Sequence, residues 1–233
     1  MRYFGGKFKI SKDLANVLNP ITKGKPFVDL FCGACNVVEK ITTATYRMAN
    51  DNNPYLIALL KAIQDGWEPP IVVSEEQYNY TMSHLDENSA LSGFIGIGCS
   101  HSGGWKSGYA RRDKYHANYA KYAHNSLLKQ EQKLNGVLFT SCDYDKVIIP
   151  DGSVVYCDPP YKGTTNKYYA KNFDYDAFIK WVEANKGKYD IYISEYKENF
   201  AQWPSNYEIV WEKESCQSMS KRKKTTEVLI HAR

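Results

Sequence analysis

Short apolar runs alternate with helix-periodic segments along much of the chain, which is the pattern of a parallel α/β sheet. Residues 26–31 are typical of a buried strand, and residues 36–42 are predicted to form the helix after it. A second strand signal ends at Asp51, and Pro54 begins a helix in which leucine and isoleucine recur at helical spacing until Gly66. This succession of strand, helix, strand and helix predicts the start of a doubly wound sheet.

The alternation breaks after this start. Ser74 followed by Gln77 is a helix-capping pattern, and a glycine-rich stretch then leads into a predicted helix over residues 115–133. Strand signals resume at residues 137–140, 154–157, 191–193, 207–211 and 227–230, with a helix over residues 175–185.

We therefore expect one α/β domain with a mostly parallel sheet and an antiparallel final strand. The domain comprises residues 1–67 and 136–233, and residues 68–135 form a small, mainly helical insertion.

Composition adds few constraints to this picture. Of the 233 residues, 43% are hydrophobic, which is enough for a core without disulfides. No segment approaches the roughly 20 apolar residues that span a bilayer, so no membrane association and a cytoplasmic location with reduced cysteines are expected. The net charge of +4 names no partner. The five histidines have no metal-ligand spacing, and Cys32 and Cys35 form the single CxxC, so no metal site is expected and a redox pair remains an alternative.

Polar residues at the ends of the predicted strands are the candidate ligands, because open α/β sheets bind ligands beyond these ends. The first strand runs into a tight turn at Gly33, where backbone can approach a ligand. The turn lacks the GxGxxG spacing, so a nucleoside other than NAD is favoured. Asp51 lies where an acid commonly binds ribose hydroxyls, although it could instead cap the helix at Pro54. Asp143 could accept a hydrogen bond from an adenine amine or cap a turn.

The strongest signal is Asp158-Pro159-Pro160-Tyr161, directly after a predicted strand. The two prolines end the strand and keep its carbonyls out of a ladder. A planar amino group stacked on Tyr161 could donate its two hydrogens to the Asp158 carboxylate and the Pro159 carbonyl. This arrangement would direct the nitrogen lone pair toward an electrophile. A plain Pro-Pro turn is the alternative.

The chain resembles the Dam-type DNA adenine methyltransferases, because several of its segments match that family in order and spacing. The matching segments are residues 3–7 (aromatic-x-Gly-Gly-Lys), 27–33, 50–54, 142–144, 158–161 and 227–229. The resemblance covers nearly the whole chain. It implies a Rossmann-like S-adenosylmethionine-dependent methyltransferase that modifies the N6 amine of adenine in double-stranded DNA, in a bacterial or phage-infected host cell.

The resemblance also implies roles for individual residues. Lys7 would assist the charged amino acid end of the cofactor, Gly33 and its neighbours would wrap the methionine part, and Asp51 would bind the ribose. Asp143 would lie by the cofactor adenine. The implied cofactor residues are Tyr3, Lys7, Phe31, Gly33, Asp51, Asp143 and Asp158. The implied catalytic residues are Asp158, Pro159 and Tyr161.

One position departs from the family pattern. Cys35 stands where the family usually has a second glycine, which leaves a DNA-binding relative without cofactor binding as an alternative. The match also places the CxxC in a nucleotide turn, where redox chemistry would be incidental. Methylation of the exocyclic amine of cytosine is the nearest alternative among enzymes.

A base in duplex DNA hides its amine in the stack, so an enzyme that modifies it must extrude the nucleotide and grip the duplex. Two segments rich in basic and aromatic residues are candidates for this grip, and solvent-exposed faces are the alternative reading of both. The candidate DNA contacts are Trp105, Lys106, Tyr109, Arg111, Arg112 and Lys114 in the insertion, and Lys221, Arg222 and Lys223 in the last loop.

Overall fold

The computed structural model describes residues 1–111, 117–161, 173–216 and 224–233, and within these ranges seven strands form one sheet. The strands are β1 (Pro26–Asp29), β2 (Tyr46–Asn50), β3 (Val137–Thr140), β4 (Val154–Cys157), β5 (Asp190–Tyr196), β6 (Glu208–Cys216) and β7 (Lys224–Ala232). Their order across the sheet is β3-β2-β1-β4-β5-β7-β6. Strands β1 to β5 are parallel, and β7 lies antiparallel between β5 and β6. The predicted sheet, with its antiparallel final strand, is confirmed.

Six α-helices accompany the sheet in the described ranges: α1 (Ser11–Thr22), α2 (Pro54–Gln64), α3 (Glu75–Ser83), α4 (Ser89–Gly93), α5 (Tyr119–Leu134) and α6 (Tyr175–Asn185). The predicted start of α2 at Pro54 and the predicted bounds of α6 are confirmed. None of the helices that the structure describes is long and apolar enough to cross a membrane.

Neighbouring residues of the strands enter different hydrophobic clusters, because successive side chains of a strand point to opposite faces. Phe27 of β1 packs in one cluster with the buried faces of α1, α2 and α5. Val28, the next residue, packs in a second cluster with Phe178 and Val182 of α6. The sheet is therefore covered on both faces, which explains why its strands are near-continuous apolar runs.

The predicted insertion at residues 68–135 shares the core of the sheet domain. A π-helical segment, Phe94–Gly98, follows α4, and its apolar side chains lie in the same cluster as α2 and α5. At Gly93 an added Cβ would lie 2.1 Å from the carbonyl oxygen of Tyr55, so glycine allows α4 to approach α2 closely. The structure thus builds α4 and α5 into the main body, and a separate recognition role for the insertion remains a prediction.

The prediction of a helix over residues 36–42 is wrong. Only a short 3₁₀ turn, Val38–Lys40, forms there, and Ile41 has extended backbone. The segment is rich in β-branched side chains, which lower helix propensity.

Two other helices differ from the sequence expectation. The helix predicted over residues 115–133 begins later, at Tyr119, because the Asn118 side chain accepts a hydrogen bond from the Lys121 amide and caps it. Helix α1 was not predicted, although Leu14 and Leu18 already mark its buried face.

Candidate active site

A cavity of about 300 Å³ opens at the carboxyl ends of β1, β2 and β4. Strand β1 pairs with β2 on one side and with β4 on the other, so the cavity lies where the direction of chain winding reverses. All seven residues predicted to bind a cofactor line it: Tyr3, Lys7, Phe31, Gly33, Asp51, Asp143 and Asp158.

The turn after β1 has little room for side chains. Gly33 has a φ of +46°, and an added Cβ would lie 2.8 Å from Cε1 of Tyr3. Cys35 has a φ of +59°, the left-handed conformation that glycine adopts without steric cost. The departure from the family pattern at Cys35 therefore keeps the glycine-like backbone. Burial raises the pKa of the Cys32 and Cys35 thiols, which disfavours the reactive thiolate.

Asp51 ties the end of β2 to this turn. Its carboxylate accepts one hydrogen bond from the Gly33 amide at 3.1 Å and another from the Asn53 amide at 3.0 Å. The alternative in which Asp51 caps α2 is wrong, because the Asn53 side chain caps that helix. Burial raises the pKa of Asp51 to about 6, against these two hydrogen bonds.

The neighbouring Asn50, which sequence reasoning did not single out, joins three strand ends. Its amide nitrogen donates to the carbonyl oxygens of Leu30 at 3.1 Å and Cys142 at 3.0 Å. Its side-chain oxygen accepts from the Thr140 hydroxyl at 3.0 Å and from the Cys142 amide at 3.2 Å. Such full use of a buried amide rigidifies the cavity wall. An asparagine ending an apolar strand was the available signal.

Asp29, at the end of β1, was also missed. It is fully buried and lines the cavity, and its Oδ1 has no hydrogen-bond partner among the described residues. Burial, with a smaller contribution from the nearby charge of Asp158, raises its pKa well above the usual range. An unpartnered buried oxygen is costly unless a ligand satisfies it.

Three aromatic rings form part of the cavity lining. The ring of Phe31 lies 5.5 Å from that of Tyr144 and 5.8 Å from that of Phe173, measured between centroids. All three rings line the cavity, with the exposed Asp143 beside them. A flat heterocycle would find an apolar surface and a carboxylate acceptor here.

Asp158 and Lys7 form a partly buried ion pair. The Lys7 Nζ lies 2.8 Å from the Asp158 carboxylate and donates to the Gly5 carbonyl at 3.4 Å. Burial raises the pKa of Asp158 to about 6, although Lys7 lowers it. Burial lowers the pKa of Lys7, but Asp158 and Glu227 outweigh this and leave the pKa raised. Lys7 is thus held as a cation beside the carboxylate.

The other three residues of the Asp-Pro-Pro-Tyr segment do not all face the cavity as Asp158 does. Pro160 lines it, whereas Pro159 and Tyr161 are buried outside its lining. Only 7% of Tyr161 is exposed, and the Lys7 Nζ lies 4.5 Å from its ring centroid. A base could stack on this ring only after a rearrangement, so the stacking role of Tyr161 remains a prediction.

The predicted DNA contacts of the insertion divide into packed and exposed residues. Trp105 stacks on Tyr55 at 5.3 Å between centroids, and the Tyr109 hydroxyl donates to the Val73 carbonyl at 2.7 Å. Lys106 and Arg111 are exposed, although the Lys106 Nζ donates to the Met82 carbonyl at 2.9 Å and Arg111 is paired with Glu75. The remaining predicted DNA contacts lie outside the described residues: Arg112, Lys114, Lys221, Arg222 and Lys223.

Two substitutions separate these roles. Trp105→Ala is expected to lower the free energy of unfolding by about 2–4 kcal/mol, because the ring fills space beside Gly96 and Tyr55. Lys106→Ala removes an exposed hydrogen bond to the Met82 carbonyl and is expected to lower the free energy of unfolding by less than about 1 kcal/mol, but to weaken DNA binding and reduce its salt dependence by about one counterion. Denaturant titration and salt-dependent binding curves measure the two effects.

Lys23→Ala is the matched control for Lys106→Ala. Lys23 is also exposed, but it follows α1 and lies three residues before β1 begins, at the end of that strand opposite the cavity, so its loss should alter neither DNA affinity nor its salt dependence. Equal DNA affinity and salt dependence in both lysine variants would remove Lys106 from the DNA surface.

The sheet order, together with a nucleoside-sized cavity at the ends of its central strands, defines a Rossmann-like methyltransferase. A family model for D12 class N6 adenine-specific DNA methyltransferases matches residues 3–92 and 90–219, so the chain belongs to this family. The Retron Ec67 DNA adenine methylase of Escherichia coli is 26% identical over 201 residues, covering 76% of this chain and 68% of that protein. The predicted fold class and activity, adenine-specific DNA methylation, are confirmed.

Solved structures resemble the chain more distantly. An rRNA methyltransferase from Streptomyces viridochromogenes is 10% identical, with a TM-score of 0.41, and the match covers 95% of this chain and 82% of that one. A 23S rRNA methyltransferase is 8% identical, with a TM-score of 0.43, over 97% of this chain and 68% of that one.

Proposed function

We propose that the cavity binds S-adenosylmethionine and that Asp158 presents to it the N6 amine of an adenine extruded from double-stranded DNA. The observation that carries the proposal is the position of the Asp158 carboxylate. It lies in the wall of the same cavity that holds the Gly33 turn and Asp51. A group that orients the acceptor and groups suited to a nucleoside therefore share one space.

The residues of the cavity fit this cofactor. Asp29 offers a buried carboxyl oxygen with no partner among the described residues, and the Gly33 turn presents backbone to the cavity. Both Asp51 oxygens keep a lone pair for ribose hydroxyls beyond their bonds to backbone amides. Among the described residues, the acidic and basic side chains of the lining are one lysine, Lys7, and five aspartates, Asp29, Asp51, Asp143, Asp158 and Asp174. This excess of carboxylates favours a ligand that carries ammonium and sulfonium charges.

When bound, S-adenosylmethionine supplies a methyl group on a positively charged sulfur, which reacts with a correctly placed amine lone pair. The protein's task is then mainly orientation. The Asp158 carboxylate accepts a hydrogen bond from the adenine amine and stabilises the positive charge that develops on its nitrogen. Lys7 holds this carboxylate in place.

The burial of Asp158 supports extrusion of the target base. Its side chain is 16% exposed, so a base stacked within a duplex could not reach it. The exposed Lys106 and Arg111 of the insertion provide positive charge for contact with DNA phosphates. Arg111 would exchange its surface ion pair with Glu75 for a phosphate, which costs little because such pairs are weak.

The decisive experiment is incubation of the protein with labelled S-adenosylmethionine and mixed-sequence DNA, followed by nucleoside analysis. N6-methyladenine, formed faster in double-stranded than in single-stranded DNA, is the expected product. N4-methylcytosine would contradict the adenine assignment. DNA binding without cofactor binding in calorimetry would instead favour the relative that has lost catalysis.

A further inference from the structure

Glu227 lies on β7, beside the Asp-Pro-Pro-Tyr segment but outside the cavity lining. Its side chain is 17% exposed, and its carboxylate accepts a hydrogen bond from the Tyr161 hydroxyl at 3.2 Å. The same carboxylate oxygen lies 3.7 Å from the Lys7 Nζ. A partly buried acid thus contacts two residues of the proposed active site without facing the ligand space.

These contacts close a ring of side chains. Lys7 is paired with Asp158 at 2.8 Å and with Glu227 at 3.7 Å, and it lies over the ring of Tyr161, which bonds Glu227. The ring joins three parts of the chain that are distant in sequence: the N-terminal segment, the segment after β4 and the final strand. With both acids ionised, the ring holds two carboxylates and one cation, so loss of Glu227 leaves Lys7 paired with Asp158 alone.

Groups from every neighbouring element face Glu227. In the sheet register it lies opposite Tyr196 of β5 and Lys213 of β6. Lys213 is neutralised by Asp13 of α1 at 2.6 Å. The ring members Lys7, Asp158 and Tyr161 are themselves titratable, and Asp29, Tyr156 and Glu195 are the buried titratable groups beside them.

We propose that Glu227 is a positioning residue for the methyl transfer. It fixes the Tyr161 hydroxyl and the Lys7 ammonium, and through them the orientation and charge of Asp158. The inference rests on the proposed function, since it assigns Asp158 the amine-binding role.

Glu227 has two separable effects on the site. Its hydrogen bond orients the Tyr161 ring, whose edge packs against Tyr196 at 4.5 Å between centroids. Its negative charge competes with Asp158 for Lys7 and raises the pKa of Asp158. A glutamine keeps the hydrogen-bond acceptor and removes the charge, whereas an alanine removes both.

The pH profile of Glu227→Gln tests the charge. The methylation rate at saturating cofactor and DNA should fall below pH about 6 in the natural protein, because the protonated Asp158 no longer offers a free carboxylate. Without the negative charge of residue 227, the pKa of Asp158 decreases. We expect the acidic limb to move to lower pH by about half a unit or more, with kcat at pH 8 within about threefold of the natural protein.

Glu227→Ala tests the hydrogen bond. We expect kcat at pH 8 to fall about tenfold or more, while KM for S-adenosylmethionine changes less than about threefold. Tyr161→Phe removes the other partner of this bond, together with the hydrogen bond from Tyr161 that lowers the pKa of Asp158. The double variant that combines Glu227→Ala with Tyr161→Phe should therefore have a kcat only slightly below that of the less active single variant.

Glu212→Gln is the matched control, because Glu212 is an exposed glutamate on the adjacent strand that also pairs with a lysine, Lys197. It should leave kcat and the pH profile unchanged. An unshifted acidic limb in Glu227→Gln, or natural kcat in Glu227→Ala, would overturn the inference while leaving the proposed function intact. Absence of methylation by the natural protein would instead refute the proposed function.

Discussion

Asp158→Asn is expected to lower the methylation rate by a factor of about 10³ or more while leaving cofactor binding within about tenfold. The amide that replaces the carboxylate carries no negative charge, and its NH₂ group would oppose the hydrogens of the target amine. Lys7 loses its ion pair of 2.8 Å but keeps Glu227 and the Gly5 carbonyl, so the protein should still fold. Single-turnover rates with saturating cofactor and DNA measure the effect.

A matched control distinguishes this chemical role from a general loss of charge. Asp145 is exposed, pairs with Lys146 at 3.1 Å and lies outside the cavity lining, so Asp145→Asn should retain the natural rate. If Asp158→Asn kept more than a tenth of the rate, Asp158 would not be the residue that orients the amine. Thermal unfolding of both variants shows whether stability contributes.

Asp51→Ala is expected to weaken S-adenosylmethionine binding by about 30-fold or more. The variant loses the proposed ribose acceptor and also the charged hydrogen bond that fixes the Gly33 amide, each worth about 1.5–3 kcal/mol. Because burial raises the pKa of Asp51 to about 6, cofactor affinity of the natural protein should also weaken as the pH falls through that value. Calorimetry between pH 5 and 8 measures both effects.

The control for this substitution is Asp65→Ala, at the far end of α2 from Asp51. Asp65 is exposed and does not line the cavity, so cofactor affinity should not change. An Asp51→Ala dissociation constant within threefold of the natural value would remove Asp51 from the cofactor site. If the S-adenosylmethionine affinity of Asp51→Ala is reduced at pH 8 and does not change between pH 5 and 8, then the pH dependence of the natural protein comes from the Asp51 carboxyl group.

Local patterns predicted where each strand lies, although β5, β6 and β7 are longer than their strand signals. Strand β4 and helix α6 have the predicted bounds, because an apolar run ended by two prolines and an Asp174 cap each define their own limits. The predicted helix at residues 36–42 failed, since helical spacing of apolar residues does not outweigh β-branching next to a turn with left-handed residues.

The site residues at the strand ends could be predicted for a different reason. Asp51 and Asp158 each follow a strand directly, and the carboxyl ends of parallel strands meet at one edge of a sheet. Glu227 gave no comparable signal, because it lies inside a strand and its partners, Tyr161 and Lys7, are far away in sequence. The packing of Trp105 on Tyr55 could not be predicted from the sequence either. Trp105 lies in a segment rich in basic and aromatic residues, which suggested a DNA contact instead.

The sequence by itself determined the strand pattern, the motif order and hence the family, because apolar periodicity, prolines and capping residues act over a few neighbouring positions. Only the tertiary structure decided that Lys7 pairs with Asp158, that Oδ1 of Asp29 finds no hydrogen-bond partner among the described residues, and that Glu227 closes the ring around Tyr161. These facts depend on which distant segments share a buried volume. In that volume each charge must find a partner or change its pKa, and no local pattern specifies the outcome.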